Sequence, residues 1–133
     1  MYKRLAHIGI AVRSIDKSSG LFAKLFGVRE EHAEEVVDQK VKAAFFRIGE
    51  GGIELLEPMS SDSPVAKFIE KRGEGIHHLS FEVDDLDAEI ERLQKEGFRM
   101  IDEKPRVGAD GFRVAFLHPK STNGVLVEIS QRL

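Results

Sequence analysis

Apolar and polar positions alternate most strictly in two short stretches. In residues 5–12, Ile8, Ile10 and Val12 share one face, and His7, Gly9 and Ala11 the other. In residues 76–83, Leu79, Phe81 and Val83 oppose His78, Ser80 and Glu82. A period of two predicts a strand in each. Ile15, Ser19, Phe22, Leu25 and Phe26 recur at helical spacing over 15–26. Leu86, Ile90 and Leu93 do the same over 85–96, with Asp84 and Asp85 as N-cap candidates. Further strands are predicted at about 29–37, 40–48 and 52–57, and at about 98–102, 112–117 and 124–130. The stretch Pro58-Met59-Ser60-Ser61-Asp62-Ser63-Pro64 reads as a loop entering a short helix, with Pro64 in its first turn.

These patterns are two copies of one pattern. Leu5-Ala6-His7-Ile8-Gly9-Ile10-Ala11-Val12 resembles Ile76-His77-His78-Leu79-Ser80-Phe81-Glu82-Val83, with His78 lying 71 residues after His7. The likeness continues through Ile15-Asp16 and Leu86-Asp87, then Gly27-Val28 and Gly97-Phe98. Each copy closes on a β-rich run with one glutamate, Gly52-Ile53-Glu54-Leu55 and Leu126-Val127-Glu128-Ile129. The expected organisation is β-α-β-β-β twice within a single domain spanning 1–133: a first module at about 1–58, a linker at about 59–75 and a second module at about 76–133. A module with one helix leaves a sheet face uncovered, so the two modules are expected to pair.

Composition narrows the class. The 133 residues are 41% hydrophobic and 32% charged, which is ordinary for a globular chain. The net charge of −3 argues against general nucleic-acid binding. The absence of cysteine excludes disulfides, zinc–thiolate sites and thiol catalysis. No apolar run approaches the ~20 residues of a membrane span, and the first residues read as a strand rather than a signal or transit peptide. The default expectation is cytoplasmic.

Both copies place one histidine and one glutamate opposite their helix-packing face: His7 and Glu54 in the first, His78 and Glu128 in the second. A lone histidine on a strand is usually structural. Four such residues at equivalent positions form a donor set for a borderline divalent ion such as Co²⁺, Ni²⁺ or Zn²⁺, with Mn²⁺ less favoured.

The repeat, the length and the His…Glu…His…Glu order together resemble the vicinal oxygen chelate superfamily. Leu5–Val12, Ile53-Glu54-Leu55-Leu56-Glu57-Pro58, Asp62–Phe68, Gly75–Val83 and Phe116-Leu117-His118-Pro119-Lys120 resemble, more narrowly, the methylmalonyl-CoA epimerase family. The resemblance implies an α+β fold: two tandem β-α-β-β-β modules forming one eight-stranded, cup-shaped mixed sheet with helices on the outer face. It implies one divalent metal per chain, held by His7, Glu54, His78 and Glu128. Co²⁺ is the first choice, with Zn²⁺, Ni²⁺, Mn²⁺ and Mg²⁺ as alternatives. His77 falls on the opposite face from His78.

The implied reaction interconverts the (2R) and (2S) forms of methylmalonyl-CoA, a CoA thioester, by removing and returning the C2 proton through a metal-stabilised enolate. Glu128 is the first acid/base candidate. The family often carries a glutamate on an early strand of the first half; by alignment that position here is Lys42, which could exchange protons or attract the substrate carboxylate. Gln39, Lys120 and Arg113 are candidate substrate contacts, with Arg106 nearby. Lys3, Arg4, Glu34 and Glu35 are assigned to solvated surface. A glyoxalase I-like lactoylglutathione lyase and a non-enzymatic ligand-binding relative are the alternatives. The resemblance implies a homodimer and no nucleic-acid or membrane partner; Phe45, Phe46, Phe112 and Phe116 offer apolar content for an interface or, equally, for the core.

Overall fold

The computed structural model describes residues 1–133. Its elements run β1 (Tyr2–Ala11), α1 (Ile15–Phe26), β2 (His32–Val36), β3 (Val41–Ile48), β4 (Gly51–Pro58), α2 (Pro64–Arg72), β5 (Gly75–Val83), α3 (Leu86–Lys95), β6 (Arg106–Val107), β7 (Phe112–Leu117) and β8 (Val127–Arg132). The strands form one eight-stranded mixed sheet in the order β2-β3-β4-β1-β5-β8-β7-β6. This is the expected α+β class and the expected repeat.

The helices begin where the sequence provides acceptors. Ser14 accepts from the Lys17 N–H at the head of α1. Ser63 accepts from Val65 N–H, with Pro64 at the first position of α2. Asp85, rather than Asp84, caps α3 by accepting from Ala88 N–H. Helix α1 ends on Gly27 at φ 73°, a left-handed conformation that closes the last turn through its N–H to Ala23 O.

The chain resolves into two compact units, His7–His77 and Met1–Ala6 with His78–Leu133. In the first, β1 pairs with β4 in parallel, and β4, β3 and β2 follow antiparallel. Its core holds Val12, Ala44, Phe46 and Leu55 against Ile15, Phe22 and Phe26 of α1. In the second, β5 pairs with β8 in parallel, then β7 and β6 follow antiparallel. Its core joins Val83, Ala115, Leu117 and Ile129 to Leu86, Ile90 and Leu93 of α3.

One expectation is corrected here. Residues 98–102 form no strand ladder; their β contact is a single bridge, Met100 to Leu117, and the paired segment lies later, at Arg106–Val107. Phe98 and Met100 share one side because both pack into the α3 core, so their alternation reports burial rather than strand pairing. The four phenylalanines divide between core and surface. Phe46 and Phe116 are buried, and the rings of Phe45 and Phe112 lie under the guanidinium groups of Arg47 and Arg132.

Candidate metal centre

The first unit builds a histidine–glutamate pair from two parallel strands. Gly9 is the register partner of Glu54, which puts His7 two residues ahead on β1. His7 Nε2 lies 3.3 Å from Glu54 Oε1. Across the antiparallel neighbour, Phe45 is the register partner of Glu54, and its ring meets His7 edge-on at 6.5 Å between centroids. His32 stacks on the far side of Phe45 at 5.4 Å. Arg47 sits over the same ring at 5.5 Å and is held by two hydrogen bonds to Glu31, 2.6 and 3.0 Å long.

The second unit repeats the construction. Ser80 is the register partner of Glu128, so His78 again stands two residues ahead. His78 Nε2 lies 3.9 Å from Glu128 Oε1, and both side chains are buried. Phe116 is the antiparallel partner of Glu128, and its ring meets His78 edge-on at 5.6 Å. Arg106 sits over Phe116 at 5.8 Å, with Asp102 3.3 Å away. The histidine and glutamate of each set were legible from the repeat. The phenylalanines were not singled out as site residues, although Phe116 follows Phe45 by the same 71 residues that separate His78 from His7.

Imidazole nitrogen and carboxylate oxygen are the donors a borderline divalent ion prefers. His7, Glu54 and His78 could hold a metal ion. Glu128 is not part of that group; its Oε1 lies 3.9 Å from His78 Nε2, against 3.3 Å between Glu54 and His7. The neighbouring His77 does not join them. It meets Phe68 edge-on at 5.0 Å, and burial pushes its pKa down to about 4, so it packs as a neutral ring.

Lys42 is corrected. It is the register partner of Glu57, lies 4.0 Å from that carboxylate and is half exposed. Its strand neighbours Ala44 and Phe46 pack in the α1 core. Lys42 therefore lies on the helix side of β3, opposite Phe45, and Ala43 takes the position on the His7 side. Glu34 is corrected in the other direction. It is half buried rather than solvated and is the register partner of Ala43, on the same face of β2 as His32.

The substrate-contact candidates divide. Arg113 is already engaged, donating to Asp87 at 3.3 Å and Gln131 at 3.0 Å. Gln39 ends the short 3₁₀ turn between β2 and β3 and is half buried. Lys120 is exposed in the 3₁₀ turn Pro119–Ser121, where His118 Nδ1 accepts its backbone N–H at 3.1 Å.

Comparison with known proteins places this geometry. A family model described as the Glyoxalase/Bleomycin resistance protein/Dioxygenase superfamily matches residues 6–116. An ethylmalonyl-CoA/methylmalonyl-CoA epimerase of Cereibacter sphaeroides is 38% identical, over 98% of this chain and 99% of its own. The mitochondrial methylmalonyl-CoA epimerase of Homo sapiens is 37% identical, over 96% of this chain and 73% of its own. A Streptomyces coelicolor methylmalonyl-CoA epimerase variant, solved in complex with 2-nitronate-propionyl-CoA, superposes with a TM-score of 0.96 at 36% identity, covering 99% of this chain and 96% of that one.

Proposed function

This chain belongs to the methylmalonyl-CoA epimerase family of the glyoxalase/bleomycin resistance protein/dioxygenase superfamily, and on that footing we propose that it interconverts (2R)- and (2S)-methylmalonyl-CoA with the help of a divalent metal ion. The observation that carries the proposal is the twice-built His–Glu pair, His7 with Glu54 and His78 with Glu128.

The C2 proton of this substrate lies between a thioester and an ionised carboxylate. Its removal places a second negative charge beside the first, which makes it weakly acidic. A divalent ion, Co²⁺ first among the candidates, held by His7, Glu54, His78 and Glu128, would supply positive charge to the substrate's thioester and carboxylate oxygens.

Inversion at C2 requires one group to take the proton from one face and another to give a proton to the opposite face. Glu128 takes one role through the carboxylate oxygen that does not serve as ligand. Lys42 is on the wrong side of β3 for the other. Glu34, on the face of the first unit that carries Phe45 and His32, takes that role. Lys120 is an exposed cation proposed for the phosphates of the CoA moiety, and Gln39 is a candidate hydrogen-bond donor to substrate. Burial of the paired residues keeps water from competing for the proton during transfer.

The deciding experiment follows C2 of methylmalonyl-CoA in deuterium oxide, with Co²⁺ supplied. Exchange with inversion, and no turnover of methylglyoxal plus glutathione, is the expected result. Lyase turnover without C2 exchange would assign the site to the other chemistry.

A further inference from the structure

The two half-sites match at the histidine, the phenylalanine and the glutamate, yet they differ at one position. Gly9, the register partner of Glu54, has no side chain, whereas Ser80, the register partner of Glu128, carries a hydroxyl. Ser80 is fully buried at 0% exposure, and its Oγ has no hydrogen-bond partner among the protein atoms. By strand alternation it lies on the same face as His78, away from Val83 and the α3 core. A buried hydroxyl without a partner costs roughly 1–3 kcal/mol, and alanine would fill the same space without that cost. Buried polar groups left unpaired by the protein itself are characteristic of places where a ligand or a rearranged side chain completes the bonding.

We propose that Ser80 is a positioning residue for Glu128: its hydroxyl donates to the Glu128 carboxylate when that side chain serves the metal, and so orients the oxygen left over for the C2 proton. This inference rests on the metal-dependent reading above. Parallel register brings Ser80 and Glu128 side by side on one face, within about 5 Å from backbone to backbone, which is within the span of a hydroxyl-to-carboxylate hydrogen bond. Carboxylate ligands are commonly held by such outer hydrogen bonds, whose loss costs 10- to 100-fold in metal affinity or activity. The asymmetry gives the two units different tasks. Glu54 has no hydroxyl neighbour at this position and serves as ligand only. Glu128 is held in orientation and serves as ligand and proton carrier.

The test compares wild type with Ser80→Ala and Ser80→Cys by three readings. Metal affinity is read by Co²⁺ titration against a competing chelator, with the visible Co²⁺ absorption band recorded. Thermal stability is read without added metal, and C2 exchange is resolved into kcat and KM. Ser80→Ala should weaken Co²⁺ binding about tenfold and shift the band. It should lower kcat by about tenfold with KM within twofold, and leave the melting temperature unchanged or raised. Ser80→Cys, which keeps a weak donor, should fall between the two. A merely structural role would instead lower the melting temperature and spare Co²⁺ binding. Co²⁺ affinity and absorption within twofold of wild type in Ser80→Ala would overturn the proposal. Absence of C2 exchange in the wild type would defeat the epimerase reading instead, and the Co²⁺ titration would still decide the role of Ser80.

Discussion

Lys42 Nζ lies 4.0 Å from Glu57 Oε2, and the other oxygen of Glu57 accepts the Ile15 N–H at 2.8 Å, at the start of α1. The lysine thus serves the helix side of the sheet. Replacing it with methionine should leave C2 exchange within about threefold of wild type. It should cost no more than ~1 kcal/mol of stability, as expected for a half-exposed ion pair. Isotope exchange and denaturant titration measure the two effects. Loss of exchange by a hundredfold would return Lys42 to the reaction.

Glu34 carries the opposite expectation. If Glu34 and Glu128 act on opposite faces of C2, Glu34→Gln should abolish inversion, while Glu128 continues to wash deuterium into one epimer with retention. Chiral analysis of the exchanged product reads this directly. General acid–base groups contribute typically 10²- to 10⁴-fold, so inversion should fall by at least about a hundredfold. An intact inversion rate would remove Glu34 from the scheme.

Tyr2 is the only tyrosine, and the chain has no tryptophan, so the phenolate absorption reports this side chain alone. Burial, then a hydrogen bond with Glu89, raises its pKa from 10.0 to about 12. The folded state therefore holds the phenolic proton more tightly than the unfolded chain does. The stabilisation is fully present below pH 10 and is lost as pH rises from 10 towards 12. Spectrophotometric titration should show a midpoint near 12 for the folded protein and near 10 in denaturant. Coincident midpoints would refute the assignment.

Metal should stabilise the fold by mass action. Added Co²⁺ at a hundredfold over its dissociation constant should contribute about 2.7 kcal/mol, visible as a rise of several degrees in melting temperature that chelation reverses. His7→Ala should suppress most of that rise, because it removes one of the imidazole donors. An equal rise in His7→Ala would place the metal elsewhere.

The repeat made much of this arrangement readable in the sequence. His7 and His78 begin matching segments, and Glu54 and Glu128 close them. Each pair then finds the same register because a parallel β1–β4 or β5–β8 ladder offers one natural alignment of the apolar faces. The face of Lys42 was not readable for a physical reason. Val41, Ala43, Ala44 and Phe46 are all buried, so both sides of β3 are apolar and alternation is silent there. The packing of Ala44 and Phe46 against α1, with the ion pair of Lys42 to Glu57, resolves it. β2 poses the converse problem. Glu34 and Glu35 offer a carboxylate to each face, and nothing local distinguishes them. Ser80 was legible as a strand residue on the histidine face, but the missing partner of its hydroxyl emerges only once every neighbour is placed.

The division of β1 has a consequence for synthesis. Its first residues, Met1–Ala6, belong with His78–Leu133, whereas the rest of the strand belongs with His7–His77. A ribosome releases those six residues long before β5, beside which they hydrogen-bond, has been translated. At roughly 5–20 residues per second, the interval is several seconds. During it the unit formed by His7–His77 can close while Met1–Ala6 stay without their strand partner. A strand in that state is an edge open to pairing with any exposed sheet nearby.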